Sequence, residues 1–259
     1  MKKIKIAFFD IDGTLVDNDL DQELEMFARV PDSTKQALLN LREKGIETVI
    51  ATGRNKMIVE DLAQKLKIES VITSNGQLVT HKGEDIYKKV LSSSMVEQIV
   101  EGLEERNLDY LIETPMHVYA KDGAGYEGDK ATEITYLSKN ELPENVLQFI
   151  CKLDDREKLD LGIEEIMSEK VAPQIVNIHE KGFNKATGIK HMLELLGISA
   201  EEAIAFGDEE NDQGMFQVVG YSVAMGQGNP VLKEQADFIT KSVGEGGIFY
   251  ACEELGLFS

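Results

Sequence analysis

Phe8-Phe9-Asp10-Ile11-Asp12-Gly13-Thr14-Leu15 is the stretch on which the reading of this 259-residue chain turns. The apolar run Ile4 to Phe9 that leads into it has the length and composition of a short buried strand. The run ends in two carboxylates two residues apart. Successive side chains of a strand point to opposite faces, so Asp10 and Asp12 would share a side if the strand stayed regular. Like charges that close are costly unless a cation or ligand neutralises them. Gly13 permits a sharp turn directly afterwards. Two acids thus stand at the carboxyl end of a strand, where open α/β sheets place their sites. A calcium loop of the EF-hand type is excluded. It needs Gly at its sixth position and Glu at its twelfth, between helices. Counted from Asp10, those positions hold Leu15 and Asp21, and a strand comes first. Taken alone, the stretch also reads as an acidic turn, since Asp-Gly is a common turn signal.

The pattern outward from this stretch is strand, helix, strand, helix, strand. Residues 17–30 form an acidic connection. Pro31-Asp32-Ser33 opens a helix, with Ser33 and Gln36 at capping-box spacing, and Gly45 ends it. Thr48 to Ala51 is a second buried strand with Thr52-Gly53-Arg54-Asn55 as its exit turn, where Thr52 has the chemistry of an N-cap. Ile58, Leu62 and Leu66 stripe the next helix. Val71 to Thr73 is a third strand, closing on Ser74-Asn75-Gly76. This alternation predicts a parallel, doubly wound α/β sheet. From about 80 to 180 the pattern changes to shorter alternating strands, Asp109 to Glu113 and His117 to Lys121, with helix-like stretches at Met95 to Glu105 and Arg156 to Ser168. Gly123, Gly125 and Gly128 mark a loop. We expect a separate α+β insert with an antiparallel sheet there. After Gly182 the α/β alternation returns: Asn184 caps a helix closed by Gly197, Ala203 to Phe206 is a strand ending on Gly207-Asp208, Tyr221 to Met225 is another, and Asn229-Pro230 opens a helix. The expected organisation is a Rossmann-like core, 1–79 and 181–259, interrupted by an α+β cap at 80–180.

Composition narrows the function. Lys and Arg total 27 against 47 Asp and Glu, a net charge of −20. Such a surface repels nucleic acid and anionic lipid. It does not forbid an anionic substrate, because a bound metal reverses the sign locally. Cys151 and Cys252 fit a reducing cytosol and two buried structural thiols. Met1-Lys2-Lys3 is basic, but Asp10 interrupts any signal-peptide core, and no apolar run approaches the length of a membrane helix. A cytoplasmic location is expected. His81, His117, His179 and His191 show no metal-ligand spacing and read as structural, although His117 and Tyr119 are candidates to face a substrate.

The quoted stretch resembles the nucleophile motif Asp-x-Asp-Gly-Thr of the haloacid dehalogenase (HAD) superfamily. Thr52 resembles its second motif, Lys185 its third, and Gly207-Asp208-Glu209-Glu210-Asn211-Asp212 its fourth, in matching order across the whole chain. The long interval between Thr52 and Lys185, with Gly-Asp-x-x-Asn-Asp, is similar to the Cof-type sugar-phosphatase branch. The chain departs from the common Ser-Lys-Gly pattern of the third motif, having Asn184-Lys185-Ala186.

The resemblance implies a phosphatase acting on small phosphorylated metabolites through an aspartyl phosphate. Asp10 would be the nucleophile, a role carboxylates perform in covalent phosphoryl transfer. Asp12 would be the general acid and base; members that cleave carbon–halogen bonds lack this second acid. Thr52 and Lys185 would hold the phosphoryl group. Asp10, Asp12 (through its carbonyl), Asp208 and Asp212 would bind Mg²⁺, which prefers oxygen ligands. Gly53, Arg54, Asn75, Gly76 and Asn211 would line the substrate site. The alternatives are a phosphomutase using the same intermediate, or a non-catalytic phosphate-binding regulatory protein. The expected partner is a small phosphorylated metabolite, with no nucleic acid and no membrane, bound by a monomer or small homo-oligomer.

Overall fold

The computed structural model of the chain describes residues 2–121, 134–137, 141–154, 158–172 and 174–259. These fall into two compact units, one of Met1–Gly53, Glu60–Tyr87 and Asn184–Ser259, the other of Arg54–Val59 and Lys88–Phe183.

In chain order the first segment carries β1 (Ile6–Phe9), α1 (Asp32–Glu43), β2 (Glu47–Ala51), α2 (Lys56–Leu66), β3 (Ser70–Thr73), β4 (Leu78–His81) and β5 (Glu84–Lys88). The middle segment carries α3 (Ser93–Glu105), β6 (Tyr110–Glu113), β7 (Val118–Lys121), β8 (Ile134–Leu137), β9 (Gln148–Lys152), β10 (Ile166–Ala172) and β11 (Ile175–Glu180). The last carries α4 (Lys185–Leu196), β12 (Ala203–Gly207), α5 (Gln213–Phe216), β13 (Tyr221–Ala224), α6 (Pro230–Gln235), β14 (Phe238–Ile239) and α7 (Gly247–Glu254).

The first unit holds an eight-stranded sheet in the order β14-β13-β12-β1-β2-β3-β4-β5. It is parallel from β14 to β3, and β4 returns antiparallel to β3. The four residues of β1 and the five of β12 are all buried. That is why these strands read as unbroken apolar runs: helices cover both faces of a parallel sheet. Ile6, Phe8, Val49, Ala51, Ile72 and Ala205 pack on one side against Ile189, Met192 and Leu193 of α4. Phe9 and Phe206 stack with ring centroids 4.8 Å apart. Each large apolar side chain buried in this way contributes about 1.5–3 kcal/mol.

Register decides where the chemistry sits. Phe9 pairs with Phe206 on one side and Ile50 on the other, and Ala51 pairs with Ile72. The turns after β1, β2, β3 and β12 therefore leave the sheet along one edge, carrying Asp10, Thr52, Asn75 and Asp208.

The second unit holds a six-stranded sheet in the order β10-β11-β9-β6-β7-β8. It is antiparallel except that β7 and β8 run parallel, a departure from the antiparallel pattern expected from the sequence. Its own hydrophobic cluster includes Ile99, Leu103, Tyr110, Ile112, Phe149, Cys151, Val176 and Ile178.

Some local expectations change. The helix expected over Arg156 to Ser168 does not form: 158–165 is irregular and β10 starts at Ile166. Leu159, Leu161 and Ile163 pack on the cluster at alternate positions, a period of two rather than 3.6, and Gly162 at φ +69° interrupts the backbone. Arg156 itself, and Gly123, Gly125 and Gly128, lie outside the described residues. Helix α1 starts from Pro31 without a side-chain cap, so Ser33 lies inside it. The first turn of α2 is capped by Asn55, whose Oδ1 accepts from the Met57 amide at 2.9 Å, and not by Thr52.

Candidate active site

Asp10 follows β1 directly, its amide donating to the Phe206 carbonyl at 3.1 Å. The chain then turns. Gly13 has φ +76°, and a Cβ there would lie 2.0 Å from Asp208 Oδ2, so only glycine allows the two acidic turns to approach this closely. Asp12 is half-buried in the turn and forms an isolated bridge to Val16.

Lys185 begins α4, behind the Asn184 side chain that caps it. The residue is 1 % exposed, and its ammonium donates to Asp10 Oδ1 and Asp212 Oδ1, both at 2.7 Å. Burial alone would lower its pKa, but the two carboxylates more than reverse this and hold the lysine charged above its usual range. Asp212 is tied from its other oxygen to the amides of Asp208 and Glu209, at 2.9 and 3.2 Å. Gly207 leaves room for it, since a Cβ there would sit 2.6 Å from Asp212 Oδ2.

Asp208 accepts from the Thr14 hydroxyl at 3.2 Å and has no cationic partner among the described residues. Burial, then the charges of Asp10 and Asp212, push its carboxyl up to about 8. Burial likewise pushes Asp10 up to about 7, against the pull of Lys185. Asp10, Asp208 and Asp212 offer ligand oxygens within 4.8 Å of one another. Three buried carboxylates against one ammonium form a site short of positive charge. An all-oxygen donor set of this kind fits a hard divalent cation.

Thr52 follows β2, 2 % exposed; its amide donates to Ile72 O at 2.9 Å and its carbonyl accepts from Asn75 N at 3.3 Å. Gly53 faces Asn75, whose Oδ1 would lie 2.9 Å from a Cβ there. Ser74, Asn75 and Gly76 are all left-handed, at φ +47°, +54° and +82°. For a non-glycine residue this costs about 1–2 kcal/mol. The turn lets Gly76 press on the Asn184 carbonyl, where a Cβ would be 2.1 Å away, while Gly188 one turn into α4 meets Ile72 and Gly76. The start of α4, and with it Lys185, is thereby seated against the end of β3. Asn211 sits in the 3₁₀ turn Glu210–Asp212, its Oδ1 buried without a hydrogen-bond partner.

Asp10, Lys185, Asp208 and Asp212 are thus brought into one bonded cluster, and Thr52, Gly53, Asn75 and Gly76 into a second along the same sheet edge. Arg54 groups instead with the second unit. Sequence reasoning missed the supports of the acidic turns. Thr14 stood in the opening stretch and could have been recognised by its hydroxyl. Gln227 donates to Gly13 O at 2.5 Å and accepts from Val243 N at 3.2 Å, and the Asn229 amide donates to Asp208 O at 2.7 Å; no local pattern announces such long-range contacts.

Comparison with known proteins places the chain in a family. The family model for haloacid dehalogenase-like hydrolases matches residues 7–252, and the chain belongs to that family. The protein YkrA of Bacillus subtilis (strain 168) is 33 % identical over 98 % of each chain. The 5-amino-6-(5-phospho-D-ribitylamino)uracil phosphatase YcsE of the same organism is 28 % identical, covering 95 % of this chain and 93 % of its own. Among solved structures, the HAD subclass IIB sugar phosphatase BT4131 superposes with a TM-score of 0.83 at 28 % identity, covering 98 % of this chain and 99 % of its own. The chain is an enzyme, an HAD-type phosphatase. No helix among the described residues is long and apolar enough to cross a membrane.

Proposed function

We propose that this enzyme is a Mg²⁺-dependent phosphatase of small phosphorylated metabolites, sugar phosphates among them, acting through an aspartyl phosphate on Asp10. The observation that carries this is the Lys185 ammonium shared between Asp10 and Asp212 at 2.7 Å, beside the unneutralised Asp208. A site that only bound phosphate would not gather three acids where the anion must enter. Asp10, Asp208 and Asp212, with the Asp12 carbonyl, would hold the cation. When bound it offsets the charge of the carboxylates and of the incoming phosphoryl group.

The chain's own residues supply the rest. Lys185 fixes one Asp10 oxygen and leaves the other to attack phosphorus. Asp12, two residues on, gives its proton to the departing ester oxygen as the P–O bond breaks. It then takes a proton from the water that attacks the aspartyl phosphate, freeing Asp10 and inorganic phosphate. Thr52 donates to a phosphoryl oxygen, and Lys185 also offers a point charge. Arg54, Gly53, Asn75, Gly76 and Asn211 surround the substrate. We assign the catalytic core to 1–79 and 181–259 and substrate choice to a cap over 80–180.

The test is release of inorganic phosphate from p-nitrophenyl phosphate with Mg²⁺, by the wild type and by Asp10→Asn. Turnover should vanish in the variant while its fold persists. Near-normal turnover would refute the aspartyl phosphate. A mutase would instead show little net release and require a bisphosphate activator.

A further inference from the structure

Two acidic turns meet at the edge of the first sheet, one after β1 and one after β12. The turn over 10–16 closes on itself: the Gly13 amide donates to Val16 O at 3.0 Å and the Val16 amide to Ile11 O at 2.9 Å. It reaches the second acidic turn through the Thr14 hydroxyl, 3.2 Å from Asp208 Oδ1. Repulsion among Asp10, Asp208 and Asp212 acts against that contact until a cation offsets it. A tether that kept the turns together without adding charge would hold the site open for the cation.

The turn at 226–229, after β13, has the contacts of such a tether. Gln227 is exposed, yet both ends of its amide are engaged. Nε2 donates to Gly13 O at 2.5 Å, and Oε1 accepts from the Val243 amide at 3.2 Å. Gly13 and Val243 are buried, so an exposed side chain joins two buried backbone segments. The neighbouring residues hold the other acidic turn. The Asn229 amide donates to Asp208 O at 2.7 Å, and Gly228 lies against the same peptide, where a Cβ would be 2.8 Å from Asp208 O. The start of the turn is itself fixed: the Gly226 amide donates to Lys241 O at 3.0 Å, and the Lys233 ammonium donates to Gly226 O. Residues 227–229 thus grip the turn of Asp10 by its Gly13 carbonyl and the turn of Asp208 by its own carbonyl.

We infer that Gln227 is a positioning residue for the cation site: its amide sets the spacing of the Asp10 and Asp208 turns, and with it the affinity and size preference for the divalent ion. The inference rests on the metal-dependent reading and adds the residue that pre-forms the site. Being neutral, Gln227 ties the turn down without competing for the carboxylates. Holding ligands in place before binding removes part of the cost of ordering them. The benefit is greater for Mg²⁺, which demands near-ideal octahedral geometry, than for Ca²⁺, which accepts an adaptable one.

The experiment is calorimetric titration of the full chain with Mg²⁺ and, separately, Ca²⁺, without substrate, for the wild type and Gln227→Met. Methionine keeps the length of the side chain and loses both hydrogen bonds. The Mg²⁺ dissociation constant should rise about tenfold, a factor that corresponds to about 1.4 kcal/mol. That for Ca²⁺ should rise by less, so the preference moves toward Ca²⁺. The melting temperature in EDTA should stay near that of the wild type, because the side chain is exposed. Gln227→Ala carries the same comparison if the methionine variant does not fold. An unchanged Mg²⁺ constant, or equal weakening of both ions, would overturn the inference and leave Gln227 as a fastening of its own loop. If the wild type binds Mg²⁺ and releases phosphate, that failure leaves the metal-dependent reading standing. A wild type that binds neither ion would remove both.

Discussion

At the scale of single residues, Asp12 and Glu113 make opposite lessons of two similar carboxylates. Asp12 draws notice in the sequence because it stands two positions after Asp10 at the carboxyl end of a strand, although the stretch taken alone also reads as an acidic turn. If it is the acid that protonates the leaving group, Asp12→Ala should lose about 10²–10⁴-fold on alkyl phosphates. It should lose much less on p-nitrophenyl phosphate, whose leaving group needs little protonation. Steady-state kinetics on both substrates checks this, and equal losses would argue for a structural role. Glu113 was not legible. In the sequence it is one more polar residue in an alternating strand, and its burial depends on partners 35 and 58 residues away. Burial, partly offset by Gln148, Asn55 and Arg54, pushes its carboxyl from 4.5 up to about 7. A raised acid makes the folded state the better proton binder. The protonated form's advantage is complete below pH 4.5 and is lost as pH rises to about 7. The loss is about 3 kcal/mol. Glu113→Gln should remove this slope: denaturant melts at pH 8 should show the variant more stable than wild type, with little difference at pH 4.5.

At the scale of elements, the strands of the first sheet were readable and the joints between elements were not. β1, β2, β3 and β12 are buried on both faces, and continuous apolar runs report that directly. The capping of α1 and α2 came out differently because Ser33 and Thr52 have the right chemistry but the backbone enters each helix elsewhere, at Pro31 and Asn55. The stretch from Arg156 misled for a related reason: short apolar spacing fits either period until a residue such as Gly162 settles it. The joint between α4 and β3 yields a prediction. Gly188→Val would place carbon within 2.3 Å of the Ile72 Cγ2 position. Overpacking of this kind typically costs about 1–3 kcal/mol. Because the displaced helix carries Lys185, kcat should fall by more than the change in melting temperature suggests, and a crystal structure should show the Lys185–Asp10 distance increased. Wild-type kcat in a destabilised variant would show that α4 is free to shift without moving Lys185.

At the scale of the molecule, each unit has its own hydrophobic cluster and its own sheet. Calorimetry should therefore resolve two unfolding transitions, or a van't Hoff enthalpy below the calorimetric one. Mg²⁺ at 100 times its dissociation constant should stabilise the unit holding Asp10, Asp208 and Asp212 by about 2.7 kcal/mol and leave the other transition in place. Exhaustive chelation should abolish phosphatase activity and Mg²⁺ restore it. Ca²⁺ should inhibit, since it accepts more oxygens and would engage the attacking carboxylate. Full activity after chelation would refute the metal site. The sequence changes rhythm near residue 80. The sheet itself runs on through Lys88, a limit set by pairing of β4 with β5 that no periodicity records.

The left-handed turn Ser74–Gly76 and the glycine it rests on have a consequence for how this gene tolerates mutation. A random library screened for lost activity would be expected to return hits at Gly76 and Gly188 as often as at the acids, although neither glycine has a functional group. Those hits would be temperature-dependent, whereas substitutions of Asp10 would fail at every temperature. Reversion would separate them further: a smaller residue at Ile72 could make room for a side chain at Gly188, and no second-site change would replace a missing carboxylate.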